Sequence, residues 1–191
     1  QVVFAGGSAT VQGYDSCGLL PEGRPPVWLG PAGSLVGTPT LTGNPPTAQV
    51  GMESLDFLKV LDDLKRGAQT IERDLVSVNF GAPGTPAVLY AESLSGENSS
   101  ALIVQNANGF GVLLVKGNVR ITAPFYWEGL VVVSGQVTFD GGLGTSAIHG
   151  ALYADQVQIL GGDVTITLDT CPIAATLRVL PVAILNWQQL L

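Results

Sequence analysis

Three segments in the C-terminal half of the chain repeat one pattern at intervals of about 20 residues. Each segment begins with a short apolar run, turns, and continues with a run in which apolar and polar residues alternate. The three segments are residues 111–121, 129–139 and 150–159, and a fainter copy precedes them at residues 86–104. Such a period in β-prone sequence is typical of a β-solenoid, whose coils stack because each leaves apolar edges that only a neighbour covers. We therefore predict a mainly β fold with a short, parallel β-helix-like solenoid over residues 86–168.

The composition supports a β-rich body and restricts the function. Charged residues make up 12% of the chain and 25 residues are glycine, which suits strands joined by many turns rather than a helical bundle. The net charge of −7 disfavours a nucleic-acid surface, because phosphate binding requires clustered lysines and arginines and the chain has eight scattered ones. No apolar run reaches the ~18–20 residues that cross a bilayer. At 191 residues the chain is predicted to form a single domain.

Residues 52–78 show the periodicity of an amphipathic helix, with apolar residues every three or four positions and charged residues between them. We predict one long helix here, which Gly67 would bend or divide. Its apolar face is expected to pack against the solenoid, and a partner-binding helix is the alternative. Residues 1–50 are predicted to form an irregular, turn-rich start with short strands, because prolines interrupt them. Residues 169–191 are predicted to be a closing segment.

The sequence contains two cysteines, Cys17 and Cys171, near opposite ends of the chain. In a glycine-rich chain of low charge that we expect to be exported, a disulfide between them is favoured over two unrelated buried thiols. Such a bridge closes a very long loop, and the chain-entropy relation assigns it about 4–5 kcal/mol. A zinc site is not indicated, because no paired cysteine or histidine ligands lie near either residue.

Candidates for catalysis are few. His149 is the sole histidine; it precedes a repeat and is expected to be a surface turn residue. Neither cysteine has the local activator that a reactive thiolate needs. Four carboxylates at turns could converge on stacked coils as a calcium site or a glycosidase pair, but their spacing favours ordinary solvated residues. They are Asp140, Asp155, Asp163 and Asp169. We expect no enzyme activity, no cofactor and no bound metal.

Other features could bind a partner. The aromatic triplet at residues 125–127 could contact carbohydrate or protein, although filling a corner of the coil is the more usual role. Lys116 and Arg120 are the local basic pair that a DNA contact would have to use. Trp28 is expected to pack onto the body rather than to form a binding platform. Asn98-Ser99-Ser100 matches a glycosylation sequon.

Several segments carry a resemblance to a known family. They are a glycine-bounded hydrophobic strand pair at residues 129–141, preceded by an aromatic-Trp-x-Gly-Leu-Val turn; a Gly-Ala-Leu coil at 150–152; Gly-Asn-Pro-Pro at 43–46; two cysteine-bearing segments at 13–17 and 169–173; and Leu-Asn-Trp-Gln at 185–188. On these residues the chain resembles PilX-type pilus assembly proteins, the minor-pilin-like components of bacterial type IV pilus systems. The resemblance covers most of the chain.

The resemblance implies a non-enzymatic role in assembling, priming or capping a pilus, in the periplasm or at the cell surface, where disulfides are permitted. The implied partners are other pilins or pilus-assembly proteins. Members of the family begin with a leader and a long apolar helix that anchors them in the inner membrane and packs in the filament core. That helix is absent from this chain, so the resemblance implies a soluble ectodomain that follows such an anchor.

Three alternatives remain open. Within the same class, the chain could be an adhesion or DNA-uptake factor at a pilus tip. A cytoskeletal polymer of the bactofilin kind also stacks short glycine- and valine-rich coils, and it would assemble end to end and keep its cysteines reduced. A carbohydrate-active solenoid would use the turn carboxylates together with the aromatic triplet.

Overall fold

The computed structural model describes residues 1–18, 24–51, 57–92 and 101–178. Strands dominate these residues, and the predicted mainly β class is confirmed. Among the described residues, no helix is long and apolar enough to cross a membrane. The strands are β1 (Val2–Phe4), β2 (Ser8–Gly13), β3 (Val27–Leu29), β4 (Leu35–Val36), β5 (Thr40–Thr42), β6 (Ala48–Val50), β7 (Gln69–Ile71), β8 (Leu75–Phe80), β9 (Ala87–Glu92), β10 (Leu102–Lys116) and β11 (Val119–Leu168), and the helices are α1 (Phe57–Leu64) and α2 (Thr170–Leu177).

The named strands pair in parallel. β10 pairs with the first part of β11, from Leu102 opposite Val119 to Val115 opposite Val133. On its other side β10 pairs with β8 and β9, and β9 pairs with β7. Parallel neighbours require the chain to return to the same end of the sheet between one strand and the next. The repeats detected in the sequence therefore lie side by side, each opposite the equivalent part of the next.

The N-terminal strands extend the same sheet beyond the last repeat. β1 pairs with β11 with Val2 opposite Val157, and β2 pairs with residues 163–168. β4 and β5 pair in turn with β1 and β2, and the sheet has the order β4-β1-β11-β10-β9-β7. Parallel pairing thus reaches past the predicted limits of residues 86–168 on both sides. The first strands of the chain lie beside its last ones.

The wholly apolar runs are buried on both faces. Within residues 112–115 and 130–133, the odd-numbered side chains belong to the main core, and the even-numbered ones belong to a second apolar cluster. Leu61 and Leu64 of α1 are buried in that second cluster, and Ile173 of α2 packs against it. Parallel strands covered on both faces carry continuous apolar runs rather than alternating ones. The alternating runs are instead covered on one face only.

The predicted helix over residues 52–78 is wrong. α1 extends only over Phe57–Leu64, and residues 69–71 and 75–80 are strands that pair with β9 and β10; residues 52–56 lie outside the described residues. Gly67 has φ +83°, a conformation that commonly ends a helix. The helical period of the sequence therefore does not continue as a helix. Gly67 ends α1, and β7 and β8 pair with neighbouring strands instead.

A residue with positive φ inside β8 explains why the pattern resembled a helix. Leu75 and Val78 both face the main core, although a regular strand would place residues three apart on opposite faces. Ser77 has φ +54°, and Asn106, its hydrogen-bond partner in β10, has φ +48°. Val76 stays opposite Gln105 and Val78 opposite Ala107, so both strands leave the extended conformation at the same position. The resulting spacing of three imitates the spacing of a helix.

We predict that Gly150→Ala destabilises the fold strongly. Gly150 has φ +141°, and a Cβ atom there would lie 1.9 Å from the carbonyl oxygen of Gly129 in the neighbouring repeat. Backbone strain and overpacking together should lower the free energy of unfolding by about 2–5 kcal/mol. Denaturant unfolding measures the change. Gly30→Ala is the control, because no atom lies within 4 Å of a Cβ added there. Equal stability of the two variants would contradict this packing.

Candidate functional site

Cys17 and Cys171 are joined by a disulfide whose Cα atoms lie 5.3 Å apart, and the two residues are separated by 154 positions in the sequence. They meet because β2 pairs with the end of β11. The pairing continues past both strands, with the N–H of Tyr14 donating to the carbonyl of Leu168 at 2.9 Å. We use the name cysteine junction for the disulfide and the polar residues bonded around it, which are Asp15, Ser16, Cys17, His149, Asp169, Thr170 and Cys171.

Asp169 is the central residue of the cysteine junction and is fully buried, with 0% exposure. Its Oδ1 accepts hydrogen bonds from the Ser16 Oγ at 2.8 Å, from the Ser16 N–H at 3.2 Å and from the Cys171 N–H at 3.0 Å. Its Oδ2 lies 2.8 Å from Nε2 of His149. The bond from Cys171 makes Asp169 the N-cap of α2. One carboxylate therefore connects three distant parts of the chain.

The ionised form of Asp169 is favoured by these contacts. Burial acts to raise the pKa of Asp169, but the hydrogen bonds from Ser16, Cys171 and His149 together outweigh burial and hold the pKa below its ordinary value of 3.8. A carboxyl group whose pKa is lowered on folding stabilises the folded state above its unfolded pKa. That contribution is lost as the pH falls through the folded pKa.

A second carboxylate holds the loop that carries Cys17. Asp15 Oδ1 accepts from the Cys17 N–H at 3.2 Å and from the hydroxyl of Thr170. Asp15 thus reaches from the N-terminal segment to the start of α2, and Asp169 reaches from the start of α2 back to Ser16. Each cysteine-bearing segment therefore supplies a carboxylate that accepts a hydrogen bond from the other segment. This arrangement positions the disulfide between them.

The cysteine junction does not form a nucleophile relay. In a Ser-His-Asp relay the histidine lies between the serine and the carboxylate. Here Ser16 donates directly to Oδ1 of Asp169, while His149 contacts Oδ2. Both sulfur atoms are held in the disulfide, so neither is available as the thiolate that attacks in cysteine chemistry. The geometry cross-links chain segments rather than activating a nucleophile.

His149 differs from its expected setting as a surface turn residue. It lies within β11, its side chain is 36% exposed, and it contacts the buried Asp169. The repeat interval contained a signal for this contact, because Asp169 follows His149 by about one repeat and its N–H donates to the carbonyl of Gly150. The sequence predicts that Asp169 is a solvated turn residue, and this prediction is wrong because the residue is buried.

The other turn carboxylates do not form a metal-binding group. Asp140 pairs with Arg120, and Asp163 accepts from the hydroxyl of Ser8. The backbone carbonyl of Asp155 accepts from the amino terminus at 3.0 Å. Within residues 1–18, 24–51, 57–92 and 101–178, no three His, Cys, Asp or Glu side chains form a group that could hold a metal ion. The calcium site considered from the sequence is therefore not assembled by these residues.

The aromatic triplet is divided between the core and the surface. Phe125 and Trp127 are each 1% exposed, their ring centroids are 6.4 Å apart, and the indole N–H of Trp127 donates to the carbonyl of Gly111 at 3.2 Å. Tyr126 alone is exposed. The triplet therefore cannot act as a three-ring platform. Trp28, which we expected to pack onto the body, is 43% exposed.

The two candidate DNA-binding cations each lie beside a carboxylate. Lys116 Nζ is 3.5 Å from Glu92, and Arg120 binds Asp140 through Nε at 3.0 Å. Because exposed pairs of this kind are weak, these contacts do not lock the side chains. They do neutralise the local charge that an approaching phosphate would meet. A net-acidic chain gains no basic patch from this pair.

No family model, curated protein or solved structure matches this chain. Two sequence features also fall beyond the part of the chain that the structure describes: the sequon at residues 98–100 and the Leu-Asn-Trp-Gln segment at 185–188. The cysteine junction and the arrangement of the strands are therefore the features that bear on function.

We predict that Asp169→Ala lowers the free energy of unfolding by about 2–4 kcal/mol, because it removes a charge-assisted acceptor and leaves buried donors unpaired. Denaturant unfolding with the disulfide intact measures the loss. Asp63→Ala, at an exposed position of α1, is the control and should change stability by less than about 0.5 kcal/mol. Similar small effects for both variants would show that the cysteine junction does not depend on Asp169.

A separate prediction concerns pH. The stability gap between the wild type and Asp169→Asn should shrink as the pH falls below about 4, because the wild-type carboxylate then becomes protonated. Unfolding titrations between pH 2 and pH 7 measure the gap. A gap for Asp169→Asn that widens on acidification would contradict the lowered pKa of Asp169.

Proposed function

We propose that this chain is a non-enzymatic, extracytoplasmic component of a type IV pilus or a related pilin-based system, with an assembly, priming or tip role. The observation that carries the proposal is the bond between Cys17 and Cys171. The two segments that hold these cysteines are among those that resemble the cysteine-bearing ends of PilX-type proteins. Disulfides persist in oxidising compartments outside the cytoplasm, which agrees with a periplasmic or cell-surface setting.

The proposal includes the finer fold class, a short β-solenoid. Two observations support it. Parallel registers connect residues about one repeat apart, as with Gly111 opposite Gly129. Gly150 in turn lies against the carbonyl of Gly129, so these three glycines stand in one column across successive repeats. In this description β1, β2, β4 and β5 are further coils added at the C-terminal end of the stack.

In such a component the cysteine junction would carry mechanical load. Tension applied at the N-terminus acts first on β1 and β2, which are held to β11 by backbone hydrogen bonds. The disulfide lies directly after β2 and connects it covalently to the start of α2. Peeling that begins at the N-terminus can therefore release β1 and β2, but it stops at Cys17, where a covalent bond carries the force to the start of α2.

The alternatives have less support. A bactofilin-like polymer would keep its cysteines reduced, whereas Cys17 and Cys171 are bonded here. DNA uptake through Lys116 and Arg120 would require a phosphate to compete with Glu92 and Asp140. A carbohydrate-active solenoid would use the aromatic triplet as well as the turn carboxylates, and two of the three rings are buried. Adhesion at a pilus tip remains compatible with the proposed class.

The test is to recover the native full-length protein from its host, from sheared surface filaments, membranes and cytosol. We expect it in filaments or membranes, with an apolar segment of ~20 residues before Gln1 and with both cysteines resistant to alkylation until reduced. The filament's major subunit and a cytosolic enzyme are the fractionation controls. Recovery from the cytosol with reactive thiols would overturn the proposal and favour the bactofilin-like polymer.

A further inference from the structure

Among the described residues, two that are not glycine have a positive φ, and they face each other across β8 and β10. Ser77 has φ +54° and Asn106 has φ +48°, and the side-chain amide of Asn106 donates to the hydroxyl of Ser77 at 3.0 Å. This conformation is unfavourable for residues with a side chain, and where it persists it is often found at binding sites. The two residues therefore mark this part of the sheet as a candidate binding surface.

The positive φ raises the number of side chains on the outer face of the sheet. In a regular strand every second side chain points to one face, so a stretch of four residues exposes two. Here three of the four residues at 76–79 are exposed, and so are three of the four at 105–108. Val78 and Ala107 are the exceptions, because they face the main core. Each strand therefore presents an additional side chain to the solvent at this position.

Side-chain amides predominate on this surface. We use the name amide face for six exposed residues of β8, β10 and β11, which are Ser77, Asn79, Gln105, Asn106, Asn108 and Tyr126. Four of the six carry an amide, and none carries a charge. Asparagine is depleted in strands, where β-branched and aromatic residues are favoured. The stability of the sheet therefore does not account for three asparagines at these strand positions.

The side chains of the amide face are arranged in rows across the strands. Asn108 lies opposite Asn79 on one side and opposite Tyr126 on the other, and the three residues span about 10 Å because neighbouring strands are about 4.8 Å apart. Nδ2 of Asn108 donates to Oδ1 of Asn79 at 2.9 Å, and the hydroxyl of Tyr126 donates to Oε2 of Glu128 at 3.4 Å. These bonds order the side chains in advance, which lowers the entropy lost when a ligand binds.

We propose that the amide face binds a neutral oligosaccharide. An amide has two N–H groups and an oxygen that accepts twice, so the bond between Asn108 and Asn79 leaves donors and acceptors side by side. Neighbouring hydroxyls of a sugar also donate and accept, and paired amides match them. The face of the Tyr126 ring is electron-rich and suits the C–H groups on the flat side of a sugar ring. An uncharged surface offers no counter-charge to a phosphate, sulfate or carboxylate group.

A nucleic acid or a protein fits the amide face less well. A single-stranded nucleic acid could stack on Tyr126, but its backbone also requires cations, and Arg120 of the same strand binds Asp140. The core of a protein interface is typically apolar and aromatic, whereas five of the six residues here carry an amide or an aliphatic hydroxyl. The inference concerns binding without cleavage. It goes beyond the proposed function and holds whether or not the chain belongs to a pilus.

The test is an oligosaccharide array probed with residues 1–191, with the disulfide intact. The array holds neutral glucans, mannans, galactans and chitooligosaccharides, together with sialylated and sulfated oligosaccharides and single-stranded DNA. We expect binding to at least one neutral oligosaccharide and no stronger binding to the charged probes. Calorimetric titration with the strongest neutral binder should then give dissociation constants at least about tenfold higher for Asn108→Ala and Tyr126→Ala. Tyr126→Phe, which keeps the ring, should retain most of the affinity.

Gln69→Ala and Tyr14→Ala are the matched controls. Gln69 is an exposed amide on β7 and Tyr14 is 58% exposed, and both variants should bind as the wild type does. Circular dichroism and thermal unfolding establish that the variants are folded, and Asn79→Ala replaces Asn108→Ala if the latter does not fold. Three results would overturn the inference: no neutral oligosaccharide is bound, a charged probe is bound more strongly, or the amide-face variants and the controls behave alike.

Discussion

The parallel pairing of β2 with residues 163–168 is the interaction on which the rest of this structure depends. It brings the first strands of the chain beside residues 157–168, and the contacts of the cysteine junction between residues 15–17 and residues 169–171 follow from it. Without that pairing Cys17 would not approach Cys171, and Ser16 would not reach Asp169. The disulfide is therefore a consequence of the register of the backbone, and once formed it fixes that register covalently.

The repeated apolar runs were sufficient to predict the central strands of the fold, because a strand that is buried on both faces must be apolar at every position. Residues 112–115 and 130–133 meet that condition, and their apolar runs predicted parallel neighbours correctly. The same reasoning failed for residues 69–80. Ser77 adopts a positive φ within β8, so the buried side chains on either side of it do not follow the alternation of a regular strand. This change of direction is matched by Asn106 in β10, and local sequence does not report it.

The candidate site was only partly predictable for a related reason. A lone pair of cysteines suggests a bond by elimination, so composition alone directs attention to Cys17 and Cys171. The role of Asp169 depends on which side chains meet it across strands, and three of its bonds come from residues outside its own segment. Nothing beside Asp169 in the sequence distinguishes it from the solvated Asp63. Only the register, applied at the level of single residues, brings His149 and Ser16 to the same carboxylate.

A stack of parallel strands has no internal reason to stop growing, since each edge offers the same backbone groups as the pairs inside it. The chain must therefore protect both edges by other means. Beside β7 the protection is local, because the exposed Glu72 and Arg73 follow it directly and would have to lose their water before any strand could add. Beside β5 the protection is of another kind, because Pro39 removes one N–H just before this strand. The two edges are therefore protected by different side chains, and neither protection depends on the pairing inside the sheet.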